Sequence, residues 1–250
     1  MKLPLELLDE IIDQLPVLYL PHPCSLVARS WTRLCQKRMF KVVNIHPGNL
    51  EKWLDTISPA NHELLGYVRV LCYAEYWAYQ MKMIGPAYIT LREYLPSFRQ
   101  LRYFSLSSPY ISASPQELDL FSAFQNTLSD ISLSSCTVAE STFVILINYF
   151  PNLIRLHLRH IGYSKGAEPI PPPSRLHFKK LCVAEWPEDS LDLIDELSNL
   201  GLRFEEVVIS ESVIPGPTWS EFANRVVHAF GANAKCLRLL DTPRGVYRHS

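Results

Sequence analysis

A short apolar pattern that recurs along most of the chain constrains the fold more than any other feature. The pattern is apolar-x-x-apolar-x-apolar, as in Leu153-x-x-Leu156-x-Leu158. Alternation in the second half of each copy is typical of a strand that buries one face. The pattern therefore predicts strands at each copy. The copies begin at Val68, Leu101, Leu128, Leu153, Phe178, Phe204 and Ala234.

The spacing of these copies indicates a repeat. They start 33, 27, 25, 25, 26 and 30 residues apart, and most of these steps match the roughly 20–29 residues of a leucine-rich repeat. Helical patterns lie between them, at Leu118 to Phe124, Phe143 to Phe150, Leu191 to Leu200 and Phe222 to Phe230. Alternating strands and helices predict an α/β fold, an irregular leucine-rich-repeat-like solenoid with a curved parallel sheet over residues 67–240.

Two other folds stay open on the same pattern. One is an irregular α/β domain whose strands happen to share a pattern, and the other is a doubly wound sheet. Neither a Gly-x-Gly-x-x-Gly nor a Gly-x-x-x-x-Gly-Lys motif follows any of the predicted strands. We therefore expect no nucleotide site of these kinds.

The N-terminal residues predict a short amphipathic helix with a wide apolar face. Its apolar side chains fall within an arc of roughly 140° on a helical wheel, and acidic residues fill the opposite side. Pro4 suits the first helical turn, and Pro16 ends the helix. One strip of the arc can pack inside the chain while another is left for a different contact. The apolar set is Leu7, Leu8, Ile11, Ile12 and Leu15.

A second helical run and a short strand complete a small N-terminal module over residues 1–45. The run contains Leu26, Val27, Trp31, Leu34, Cys35 and Phe40, and the strand is predicted at Val42 to Ile45. About forty residues bury little apolar surface on their own. The module is therefore either a cap on the larger domain, joined by residues 46–66, or a unit that a partner completes.

These residues resemble an F-box of the kind common in fungal proteins. The matching blocks are Leu3-Pro4-x-Glu6-Leu7-Leu8-x-x-Ile11-Ile12-x-x-Leu15, Cys24-Ser25-Leu26-Val27-x-Arg29-Ser30-Trp31 and Met39-Phe40-x-Val42-Val43-x-Ile45. The resemblance implies binding to the adaptor subunit of an SCF-type cullin-RING ubiquitin ligase and, through it, to a cullin. The adaptor-facing residues that it implies are Leu3, Pro4, Leu7, Leu8, Ile11, Leu26, Val27 and Trp31.

The residues between the apolar positions of each strand are candidates for binding a protein substrate. Arg155, His157 and Arg159 alternate along one predicted strand, and Lys180 lies on the next. Because neighbouring strands lie about 4.8 Å apart, these side chains would share one patch. The hypothesis is that the patch binds an acidic or phosphorylated peptide through Arg contacts. The alternative is a solvated basic face.

Composition, charge and short motifs argue against several classes of function. A formal charge of −1 gives no overall attraction to nucleic acid or membranes, and the longest apolar run, Phe143 to Ile147, is too short to span a bilayer. The acidic start disfavours a signal peptide, so we expect an intracellular protein of the cytoplasm or nucleus. Six scattered cysteines are expected to be structural thiols, and His157-x-x-His160 lacks a third metal ligand. We expect no metal, cofactor or catalytic residue.

The predicted function is substrate recognition for an SCF-type ubiquitin ligase. Residues 241–250, which follow the repeat domain, are predicted to be a C-terminal tail. The protein would bind the adaptor through its first helices and a substrate through the repeat domain. One alternative is a stand-alone repeat scaffold for protein–protein interaction. Another is a hydrolase or transferase with a degenerate site, which would require a deep polar pocket with perturbed titratable groups.

Overall fold

The structure is a computed structural model that gives the positions of backbone and side chains for most of the chain. It describes residues 5–14, 29–57, 59–74, 93–107, 110–111, 115–164, 173, 176–184, 191–210 and 217–240.

A single sheet organises the described residues. Its strands run in the order β1-β2-β3-β5-β6-β7-β8-β9, with β4 paired to β5, and every pairing is parallel. The predicted α/β class with a parallel sheet is therefore confirmed. The strands are β1 (Val42–Ile45), β2 (Val70–Ala74), β3 (Tyr103–Ser107), β4 (Tyr110–Ile111), β5 (Asp130–Ala139), β6 (Arg155–Ser164), β7 (His177–Ala184), β8 (Arg203–Ser210) and β9 (Cys236–Leu240).

Helices connect these strands and account for the four helical patterns in the sequence. Within the described residues, 3₁₀ segments lie at Pro59–Tyr67, Leu95–Ser97 and Ser122–Phe124. The helices predicted between strands correspond to α4 (Pro115–Phe121) with its 3₁₀ extension, α5 (Glu140–Tyr149), α6 (Leu191–Asn199) and α7 (Pro217–Phe230). The α-helices are α1 (Leu5–Gln14), α2 (Arg29–Met39), α3 (Leu50–Thr56), α4 (Pro115–Phe121), α5 (Glu140–Tyr149), α6 (Leu191–Asn199) and α7 (Pro217–Phe230).

The main core lies between one face of the sheet and the helical segments. All three apolar positions in the first six copies of the pattern are buried, and none is more than 4 % exposed. Helix α7 adds Phe222, Val226 and Phe230 to the same core. These residues recur every fourth position and so form one face of the helix. Burying each such side chain contributes about 1.5–3 kcal/mol.

Aromatic side chains from the connecting segments stack beside the strands. Trp53 of α3 stacks on Phe98, with ring centroids 6.1 Å apart. Phe124 stacks on Phe150 at 6.2 Å with the two rings 8° from parallel. Phe98, Phe124 and Phe150 lie 26 residues apart in the sequence. The repeat therefore extends from the strands into the layer that covers them.

The last copy of the pattern does not bury its strand residues. Leu237 and Leu239 of β9 are 40 % and 63 % exposed, and Leu240 is 49 % exposed. The prediction that Leu237 and Leu239 point into a core is wrong. The physical reason is that β9 pairs with β8 along one edge, and within the described ranges no further strand or helix layer covers its apolar side chains.

A paired kink interrupts the two longest strands. Ser135 and His160 both have φ of 51°, a left-handed conformation that costs a non-glycine residue roughly 1–2 kcal/mol. They lie side by side, because the pairs on either side are in register. Each kink adds one outward-facing residue, so the alternation shifts and Cys136 and Ile161 are buried again.

Strand β1 belongs to the main sheet. It was predicted at Val42 to Ile45 as the end of the N-terminal module, and the strand itself is confirmed. It pairs with β2, and Val43 and Ile45 pack in the same core as Leu71. The buried residues of α1 and α2 form a separate small cluster.

Candidate functional site

The surface opposite the core is formed by the alternate side chains of the strands, here called the polar face. Strands pair in register, so these side chains form rows across the sheet. Asp130 lies opposite Arg155, Arg155 opposite Lys180, and Lys180 opposite Glu206. The face consists of Tyr103, Ser105, Asp130, Ser132, Arg155, His157, Arg159, Lys180, Cys182, Glu206 and Arg238.

Ion pairs link the charged side chains of the polar face. Arg155 Nη1 lies 2.9 Å from Asp130 Oδ1. Glu206 Oε1 accepts contacts from Lys180 Nζ at 3.3 Å and from Arg238 Nε at 3.2 Å. The hydrogen bond from Arg155 to Asp130, followed by the carboxylate's charge, raises the pKa of the Arg155 guanidinium. Each of these three cations therefore contacts a carboxylate of the same face.

His157 is the half-buried centre of the polar face. Its ring contacts that of Tyr103 edge to face, with centroids 5.9 Å apart. Burial lowers the pKa of the imidazole; Asp130 acts in the opposite direction, and the charges of Lys180 and Arg155 lower it further. A lowered pKa keeps His157 neutral near pH 7. This residue therefore adds no positive charge to the face.

Cys182 of the polar face and Cys72 of β2 are expected to be poorly reactive. Burial raises the pKa of the Cys182 thiol and also that of Cys72. A raised pKa reduces the thiolate fraction, which is the nucleophilic form. Cys35, Cys72, Cys136, Cys182 and Cys236 form no disulfide bonds, and Cys24 lies outside the described residues.

The four residues predicted to bind substrate lie on one face of the sheet, and three of them are cations. Arg155 and Lys180 each pair with an acid, and His157 is held neutral. Arg159 is exposed four positions beyond Arg155 on the same strand. The sequence placed Asp130 and Glu206 on this face as well, but not their pairing with the cations. The predicted role of the four residues in substrate binding stays a prediction.

The N-terminal helix divides its apolar side chains between the chain and the solvent. Ile12 is 1 % exposed and packs with Cys35, against which Trp31 and Leu34 also lie. Leu7 and Ile11, by contrast, are 45 % and 43 % exposed. The other predicted adaptor-facing residues lie outside the described residues, as does the side chain of Leu8 in α1. They are Leu3, Pro4, Leu26 and Val27.

Neither a cluster of metal ligands nor a membrane-spanning helix occurs in the described part of the chain. Within these ranges no group of three or more His, Cys, Asp or Glu side chains could hold a metal ion. His160, the second residue of the predicted histidine pair, is exposed at the strand kink. None of the helices in the described ranges has the length and apolar character needed to cross a bilayer.

Comparison of the chain with models of known protein families and with the curated proteins gives no match. The function of the N-terminal helices is therefore inferred from their own residue pattern and from the exposure of Leu7 and Ile11.

Proposed function

We propose that the protein is the substrate-recognition subunit of an SCF-type cullin-RING ubiquitin ligase. Its F-box-like helices bind the adaptor subunit and, through it, a cullin. A leucine-rich-repeat-like solenoid binds the protein substrate. Other subunits transfer ubiquitin, so the protein itself is not an enzyme. A subunit of this kind works in the cytoplasm or nucleus.

The exposure of Leu7 and Ile11 carries the proposal. The two residues are four positions apart on α1, so they share one face of the helix. Ile12 holds the helix against α2 from another side. Neighbouring exposed apolar side chains at a helix surface are typical of a protein contact. Covering both in a complex contributes on the order of 2 kcal/mol.

The arrangement of the sheet supports the repeat part of the proposal. Successive parallel strands are neighbours in chain order, apart from the short β4. Each strand therefore contacts the strands of adjacent copies, as expected of a solenoid. Strand β6 starts 25 residues after the start of β5, and this spacing is within the leucine-rich-repeat range.

The polar face is the proposed substrate surface, through Arg155, His157, Arg159 and Lys180. Because Asp130 and Glu206 pair with neighbouring cations, a purely anionic peptide would have to compete with built-in carboxylates. A substrate segment that carries both acidic and basic side chains complements this face better.

Adaptor binding tests the proposal directly. The full chain, co-expressed with the adaptor, is expected to elute with it as a 1:1 complex in size-exclusion chromatography. The Ile11→Asp variant is expected to bind about tenfold more weakly, because the new carboxylate loses its hydration in the contact. Val227→Asp is the matched control: it introduces the same carboxylate at an exposed apolar position of α7, outside the N-terminal helices.

The outcomes separate the two candidate functions. Weakening by Ile11→Asp with little change in Val227→Asp supports the ligase subunit. A wild-type chain that folds but does not bind the adaptor rejects it and favours the stand-alone repeat scaffold. Circular dichroism of each variant checks that the fold is intact.

A further inference from the structure

A cleft of about 450 Å³ lies between the end of α2 and the starts of β2 and β3. Its volume is within the range of small-molecule sites. Five cationic side chains line it, together with Tyr67 and two apolar residues, and no acidic residue in the described part of the chain does so. The cations are Lys37, Arg38, Lys41, Arg69 and Arg102.

The pairing of the strands brings three of these cations together. The backbone N–H groups of Arg69 and Val70 donate to Lys41 O, at 2.9 and 3.0 Å. Those of Arg102 and Tyr103 donate in the same way to Arg69 O, at 2.8 and 3.0 Å. Lys41, Arg69 and Arg102 therefore precede three successive strands at equivalent positions, in rungs roughly 4.8 Å apart.

The last turn of α2 adds two cations from the other side of the cleft. Lys37 and Arg38 occupy that turn, where positive charge also suits the helix dipole. The dipole gives no such reason for Lys41, Arg69 and Arg102, which lie outside the helix. The rim of the cleft continues with Arg33, whose Nε donates to Tyr67 Oη at 3.1 Å.

The positive charges of Arg69 and Arg102 repel each other. Burial lowers the pKa of the Arg69 guanidinium, and the charge of Arg102 lowers it further. At the rim, the carboxylate of Glu63 raises the pKa of Arg33, after the larger effects of Tyr67. An anion bound between Arg69 and Arg102 would relieve this repulsion.

We propose that the cleft binds a small soluble ligand that carries two or more phosphate groups. Arginine matches phosphate oxygens with paired hydrogen bonds, and Arg38, Arg69 and Arg102 face a common space. This site is separate from α1 and the polar face, so it does not depend on the proposed ligase function.

A compact ligand fits this cleft better than a peptide or nucleic acid does. Alternate side chains of an extended peptide are about 6.6 Å apart, so only one or two carboxylates would enter a space of 450 Å³. Nucleic acid requires cations along an extended track, whereas these five are confined to one cleft. A polyphosphate places several negative oxygens in the same small volume.

Isothermal titration calorimetry of the full chain with inorganic tripolyphosphate tests the proposal. It is done at about 0.15 M NaCl, where weak surface attraction is largely screened. The Lys41→Gln/Arg102→Gln variant is expected to bind at least about tenfold more weakly. Both side chains are exposed, so the melting temperature without ligand should change little. If this variant does not fold, Lys41→Gln alone is expected to weaken binding by several fold.

The matched control is the Arg203→Gln/Lys235→Gln variant. It removes the same charge from exposed positions at the starts of β8 and β9, at the far edge of the sheet. Unchanged tripolyphosphate affinity in the control, with loss in the cleft variant, supports the site. Equal loss in both variants, or no binding by the wild-type chain, overturns it. Tighter binding of a glutamate peptide of equal charge also overturns it, and assigns the cleft to an acidic protein segment.

Discussion

His157 makes the stability of the protein depend on pH. Burial lowers its pKa in the folded chain, whereas in the unfolded chain it is about 6.5. When the pH falls below about 6.5, the unfolded chain binds the proton first and is stabilised relative to the fold. The contribution of His157 is therefore fully present above about pH 6.5 and is lost as the pH falls through that value toward the folded pKa.

The expected result is a steeper loss of stability in the wild-type chain than in His157→Gln. Urea unfolding at about pH 7.5 and about pH 5.5 measures it, because that interval contains the unfolded pKa. The same change at exposed His228 controls for losing an imidazole from the surface. If wild type and His157→Gln lose equal free energy of unfolding between the two pH values, His157 is not held neutral by burial.

At the residue scale, the sequence predicted which side chains face outward but not how they interact. Alternation alone placed Asp130, Arg155 and Glu206 on one face. Whether Arg155 extends into solvent or turns to Asp130 depends on side-chain torsions and on the in-register pairing of β5 with β6. The spacing of the copies did not determine those geometric details.

At the element scale, equal sequence positions differ in energy because their neighbours differ. Leu158 and Leu239 both occupy the last apolar position of a copy, but they are 1 % and 63 % exposed. Leu158→Ala is expected to lower the free energy of unfolding by about 2–5 kcal/mol through lost burial and a cavity. Leu239→Ala should lower it by less than about 1 kcal/mol. Urea denaturation of both variants measures the difference; equal losses would mean that β9 is covered.

The elements also show how far the sequence pattern reaches. Strand positions and four helices followed from apolar spacing, because burial of a strand face depends on local alternation. The exposure of the β9 leucines did not follow from this spacing, because burial also requires a neighbouring element that covers the side chain. The cationic cleft was missed for a related reason. Arg69 and Arg102 occupy the same position in successive copies, which is a readable signal, but Lys37 and Arg38 reach the cleft from a separate helix.

At the scale of the whole molecule, the described structure contains two apolar cores of unequal size. The smaller contains Ile12 of α1 and Cys35 of α2. The larger runs through the sheet and begins at β1, and Phe40 packs against it. A small core that leaves Leu7 and Ile11 exposed suits a contact module, whereas the sheet supplies most of the folding free energy.

Removal of the N-terminal residues at two positions is expected to separate these cores. A chain lacking residues 1–39 keeps Phe40 and β1, and should fold but lose adaptor binding. A chain lacking residues 1–45 also loses Val43 and Ile45, which are 6 % and 1 % exposed, and leaves β2 as an open edge. It should be less stable by about 3–6 kcal/mol, from two lost apolar side chains. Urea unfolding compares the two chains. Equal stabilities would mean that β1 belongs to the N-terminal module, which would then end at residue 45. The expected loss of stability would mean that β1 belongs to the sheet.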